Sequence, residues 1–196
     1  WQIANSNSQV NINKKELSTG FLVSEFQVED YINYIKNNEH FYVLTVDETI
    51  KAFLLAYKKN ELDMSLIVNR KIDLFAENEY VIIKQICVDR SEFRNGYARK
   101  LYEHFIELIK ADIFLAVVLN PYNEASVKFH NNLGFNQVFE VVVEDGKERG
   151  IYFKPYNHVC EDINEDIILH QYDIAIDLYK HEDELNWSKM NHLFYV

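Results

Sequence analysis

Val81-Ile82-Ile83-Lys84-Gln85-Ile86-Cys87-Val88 is an apolar run of strand length, and it empties into Asp89-Arg90-Ser91-Glu92-Phe93-Arg94-Asn95-Gly96-Tyr97-Ala98-Arg99. That loop opens an amphipathic helix, predicted over 97–110, with Leu101, Phe105, Leu108 and Ile109 on one face. A second strand, Ile113 to Leu119, leads to Asn120-Pro121-Tyr122-Asn123 and a short helix that stops at Leu133-Gly134-Phe135. A strand that delivers small residues into a helix start is a place to hold phosphates. The first amides of a helix have no partner within it, and its dipole favours negative charge. Two such units side by side suggest a cofactor gripped at its phosphates and threaded between strands.

The same residues carry a family resemblance. Arg94-Asn95-Gly96-Tyr97-Ala98 resembles the pyrophosphate loop of the GNAT superfamily of acetyltransferases, commonly written Q/R-x-x-G-x-G/A. Asn123-Glu124-Ala125-Ser126-Val127-Lys128-Phe129-His130-Asn131-Asn132-Leu133-Gly134-Phe135 falls in the register of that superfamily's second signature, N-x-x-(A/S)-x-x-F-Y-x-x-L-G-F. The resemblance covers roughly residues 21–156. It implies a mixed α/β fold with a mostly antiparallel sheet, flanking helices and two splayed parallel strands at its centre. It also implies acetyl-CoA as cofactor and an amine of a small molecule or protein as acceptor.

The rest of the chain is legible outward from this core. His40 to Val46 and Ile50 to Lys58 flank Asp47-Glu48-Thr49 as a hairpin. Phe139 to Val143 and Gly150 to Lys154 flank Glu144-Asp145-Gly146-Lys147 as a second. Val28 to Asn38 reads as a helix with Glu29 and Asp30 in its first turn. Gly20 to Gln27 has strand character. Part of Leu62 to Phe75 reads as another strand or an irregular crossing, and residues 1–16, polar and Asn/Ser-rich, as a loose lead-in or a peripheral strand. The expected division is a GNAT-like acyl-CoA-binding domain over 1–156, with its core at about 21–156, and a C-terminal helical extension over 157–196. That extension packs on its own domain, forms a homodimer contact, or approaches a membrane anchor; its composition leaves the three open.

A formal net charge of -11 argues against non-specific nucleic-acid binding and sits better with a cationic or neutral acceptor. Cys87 and Cys160 are too few for a disulfide framework, which favours a reducing, cytoplasmic setting. No apolar run approaches the roughly 20 residues of a membrane-spanning helix. The histidines show no metal-ligand spacing, and no metal is expected. A dinucleotide-binding fold is disfavoured because G-x-G-x-x-G is absent around Gly96.

Acetyl transfer from a thioester to an amine requires a held cofactor, a deprotonated acceptor, donors for the developing oxyanion and a proton for the leaving thiolate. The resemblance implies that Ile86, Cys87, Val88, Arg94, Asn95, Gly96, Tyr97, Ala98, Arg99, Asn123 and Phe129 bind the cofactor. A backbone N–H near Cys87 or Val88 then serves as oxyanion donor. Asn123 both caps its helix and meets the cofactor arm. His130 stands where many members carry the tyrosine that protonates the thiolate, and Tyr122 is the reserve acid. Ile82 stands where many carry a glutamate base, leaving Glu79 as the substitute, with Glu25, Glu124, Glu144 and Asp145 in nearby loops. Phe93 replaces the first polar residue of the phosphate loop, with Arg94 next to it. Cys87 reads as a packing residue rather than a nucleophile. Because Ile82 and His130 depart from the pattern, the alternative is a catalytically degenerate CoA-binding regulatory module.

Overall fold

The computed structural model describes residues 1–13, 16–23 and 26–156. The expected extension over 157–196, with Cys160, lies outside the described residues, as does Glu25. Among the described residues, five α-helices and six strands follow in the order α1 (Gln2–Ser6), α2 (Val28–Asn37), β1 (Phe41–Val46), β2 (Thr49–Lys58), α3 (Ile67–Phe75), β3 (Tyr80–Val88), α4 (Tyr97–Leu108), β4 (Asp112–Val118), α5 (Glu124–Asn131), β5 (Asn136–Val142) and β6 (Glu148–Lys154). The strands form one sheet in the order β1-β2-β3-β4-β6-β5. Every neighbouring pair is antiparallel except β3 and β4.

Alternation along the strands supplies a core on each face. Val81, Ile83, Leu115 and Val117 pack against Leu101, Tyr102 and Phe105 of α4 and Val127 of α5. Tyr80, Ile82 and Phe114 turn to the other face and meet Ile72 of α3. On that face, further along, Phe53 and Cys87 meet Tyr31 of α2 and Ala4 of α1. The chain is therefore a sheet sandwiched between two helical layers.

Both hairpins form where expected. The first turns through Asp47 at φ 48° and Glu48 at φ 60°, so both central residues sit in the left-handed region that a two-residue hairpin turn requires. Glycine is at ease there and glutamate is not. Glu48→Gly is expected to raise stability by roughly 0.5–1 kcal/mol, read as a shift of the urea midpoint at unchanged slope.

Three segments differ from expectation. Of Leu62 to Phe75, residues 62–66 are irregular, but Ile67–Phe75 is a helix rather than a strand, with Ile72 fully buried. The described residues of Gly20 to Gln27 form no strand of the sheet; Leu22 makes a single bridge to Ser8. The lead-in begins with a short helix, α1. Asn and Ser content suggested looseness, but Asn7 is buried, and its side-chain amide donates to the carbonyls of Ile3 and Val88.

Candidate active site

The centre of the sheet opens. β3 and β4 pair only from Tyr80↔Asp112 to Ile83↔Leu115. The β2–β3 register then skips one residue, Leu55 opposing Gln85 and Ala56 opposing Ile83, which leaves Lys84 as the extra residue of a β-bulge. A bulge increases local twist and bends its strand, here away from β4. Beyond it β3 stays with β2, β4 stays with β6, and a cleft of about 970 Å³ lies between them. Its wall includes Lys84 to Val88, Leu115 to Val118, Arg94, Gly96 to Arg99, Asn123, Phe129 and His130.

The direction of the amides in β3 follows from alternation. The Asp89 N–H donates to Lys51 on the β2 side, so the main-chain groups of Cys87 face β2, and those of Ile86 and Val88 face the cleft. Of the two expected oxyanion donors, the Val88 N–H faces the cleft. Cys87 is a correction: its amide points away, and its thiol is buried among Ala4, Tyr31 and Phe53. Burial raises the thiol pKa far above its usual value.

At the mouth of the cleft the loop after β3 is bent by two left-handed residues, Arg94 at φ 70° and Gly96 at φ 77°. A non-glycine residue held there carries strain, a pattern that clusters at ligand sites. The first intrahelical bond of α4 runs from Lys100 N–H to Gly96 O. The amides of Tyr97, Ala98 and Arg99 therefore precede the helical ladder. Asn95 is less available, its amide and side chain both donating to Glu92.

Asn123 caps α5, its Oδ1 accepting from Ser126 N–H, while its Nδ2 donates to Phe21 O. It thereby ties residues 18–23 to the cleft wall. Removing that amide costs both bonds. Asn123→Ala is expected to lower stability by about 2 kcal/mol in urea unfolding.

His130 is buried and lines the cleft. Its Nδ1 lies 2.7 Å from the Ser126 carbonyl, which can only accept, so Nδ1 carries the proton. Nε2, 2.6 Å from the Tyr102 hydroxyl, then accepts from it. Burial lowers the ring's pKa to about 4 against the opposing pull of the Ser126 bond. At neutral pH the imidazole has no proton to release from Nε2, which corrects its reading as a simple acid. Burial also raises the Tyr102 hydroxyl well above its ordinary value, so that group holds its proton.

The other proton-transfer candidates scatter. Tyr122 is exposed and lies outside the cleft wall. Glu79 is a correction: it precedes β3 at the opposite end of the strand and borders a separate surface hollow with Glu39 and Lys58. Because it precedes a nine-residue strand, it lies a strand's length from Val88 and the phosphate loop beyond. Glu124 is exposed and paired with Lys128. Ile82 is buried against Phe114 and Ile72.

The far end of the cleft is made by the start of α3, the β5–β6 turn and the bulge. Leu66, Val68, Asn69, Lys84, Glu144, Asp145 and Arg149 line it. Glu144 accepts from Ile67 N–H at the start of α3. Asp145 accepts from Lys147 N–H and from Arg149 Nη2 at 2.6 Å, and these bonds outweigh its burial and hold its pKa below the usual carboxylate value. Glu92, the remaining carboxylate of the wall, pairs with Lys51 at 3.0 Å. Sequence reasoning missed Asn7, Tyr102, Lys84 and Arg149. A lone lysine inside an apolar strand was the available signal for the bulge.

The model of the Acetyltransferase (GNAT) family matches residues 9–135. The chain belongs to the GNAT acetyltransferase family. The match begins well before residue 21, so it includes the segment that Asn123 ties to the cleft. Comparison with curated proteins gives no match. Among solved structures, the GNAT chain is similar to smu.2055 from Streptococcus mutans, with TM-score 0.57 and 18% identity over 80% of this chain and 90% of that one. It is also similar to the ribosomal-protein-S18-alanine N-acetyltransferase from Escherichia coli, with TM-score 0.50 and 18% identity over 78% and 96%. A third is Chaetomium thermophilum Naa20 in complex with a bisubstrate analogue, with TM-score 0.53 and 17% identity over 71% and 81%. At these identities the likeness is one of fold. Among the described residues of this GNAT domain, no helix is long and apolar enough to cross a membrane.

Proposed function

We propose that the protein is an acetyl-CoA-dependent N-acetyltransferase acting on a primary amine of a small molecule or protein. The observation that carries this reading is the continuity of the splay with the left-handed loop at the start of α4. An extended arm fits between β3 and β4, where the main-chain groups of Ile86 and the N–H of Val88 turn inward, the Val88 carbonyl being held by Asn7, and a diphosphate fits at the amides of Tyr97 to Arg99. Arg94 and Arg99 add positive charge beside those amides. When bound, acetyl-CoA supplies the activated acetyl group and a thiolate leaving group.

The chain's own contribution is positioning and electrostatics. Val88 N–H is the donor oriented toward negative charge developing on the acetyl oxygen. Val117, Val118 and Phe129 give the cleft an apolar lining. The Tyr102–His130 pair is a locked, uncharged part of that wall rather than a proton source.

The engagement of Glu92, Glu144 and Asp145 in other bonds favours a second reading, a CoA-binding module without turnover. Release of free thiol from acetyl-CoA with a panel of primary amines separates the two. Turnover is expected; saturable CoA binding without turnover supports the second reading, and no CoA binding overturns both.

A further inference from the structure

Two cations share the acceptor end of the cleft. Lys84 is partly buried on the bulge, and Arg149 is largely buried at the start of β6, with 13% of its side chain exposed. Arg149 Nη2 is satisfied by Asp145, but its Nη1 is buried and has no hydrogen-bond partner among the described residues. The carboxylates nearby are spoken for: Glu144 caps α3, Asp145 holds Nη2, and Asp63 accepts from Ser65 N–H.

We propose that Lys84 and Arg149 form an anion subsite that seats a carboxylate carried by the amine acceptor. The inference rests on the N-acetyltransferase reading and narrows its acceptor to amines with a carboxylate on the same molecule. Asp145 already pairs with one edge of Arg149, so what an incoming carboxylate would satisfy is the buried, unpartnered Nη1 together with the Lys84 ammonium on the same cleft wall. Consistent with this, burial and then the Arg149 guanidinium lower the Lys84 pKa, against the smaller opposing effects of Glu144 and Asp63. A guanidinium with one free edge and an ammonium beside it match a carboxylate's two oxygens. Gln85 adds a further donor to the same wall, its Nε2 buried without a partner. The whole-chain charge of -11 suggested a cationic or neutral acceptor, but the acceptor end of the cleft has its own local field.

The test uses matched probes: ω-amino acids from glycine to 6-aminohexanoate, each beside its carboxamide, titrated by calorimetry into the protein saturated with CoA. At least one acid is expected to bind about tenfold or more tightly than its amide. Arg149→Met is expected to erase that ratio and Lys84→Met to reduce it, while Lys84→Arg, which keeps the charge, preserves it. Equal affinity of acid and amide throughout the series overturns the subsite, as does a ratio that survives Arg149→Met. Because binding is read in the CoA complex, absent turnover does not obscure the result. Failure of CoA itself to bind removes the parent reading and this one with it. Failure of the acid–amide contrast with CoA bound removes this one alone.

Discussion

Gly96→Val is expected to weaken CoA binding by about a hundredfold while costing only about 1–2 kcal/mol of stability. The two effects separate because the glycine has open space around it. A Cβ built there meets no protein atom within 4 Å, so a side chain causes no clash. What forbids a branched residue is φ 77°, a conformation sterically costly for any residue with a Cβ. Either the strain is retained and the methyl groups occupy the diphosphate's place, or the loop relaxes and the amides of Tyr97 to Arg99 turn away. Both routes cost charge-assisted hydrogen bonds, each worth about 1.5–3 kcal/mol. Calorimetric titration with CoA, paired with urea unfolding, reads both numbers. Wild-type affinity in the variant would remove the loop from cofactor binding.

The second large effect is on acid stability. The His130 pKa is about 4 in the folded protein, against an ordinary value near 6.5 when the chain is unfolded. The unfolded chain therefore binds this proton more readily than the fold does. The stability is fully present above about pH 6.5 and declines as pH falls, by about 3 kcal/mol in total once pH passes below 4. His130→Gln keeps an acceptor for the Tyr102 hydroxyl and removes the titration. Between about pH 7 and pH 5, wild type is expected to lose about 2 kcal/mol more than His130→Gln in urea unfolding. Parallel losses would mean that His130 is not the buried neutral ring described here. The same state predicts that the pH profile of acetyl transfer carries no ionisation belonging to His130.

The two signatures around Gly96 and Asn123 were legible because they report backbone requirements: a left-handed residue before a helix, and a cap after a strand. Those needs are local and leave fixed residue types behind. The hairpins were legible for the same reason. Leu62 to Phe75 was not, since its helix is chosen by burial of Ile72 against the sheet, a tertiary preference that nine residues do not advertise. Glu79 was misplaced because distance along a strand accumulates, so nearness in sequence to β3 says little about nearness to its C-terminal end. His130 lines the cleft, but its charge state depends on Tyr102, 28 residues away and invisible as a partner in the sequence. Lys84 looked like one polar interruption in an apolar strand. Its role depends on a register skip that only pairing with β2 reveals.

Backbone amide hydrogen exchange with and without saturating acetyl-CoA tests the central claim most directly. The account predicts slowed exchange at Tyr97, Ala98, Arg99 and Val88, the amides that face the cleft without partners in the sheet or helix ladder. Saturable binding that leaves those four amides unchanged would contradict it.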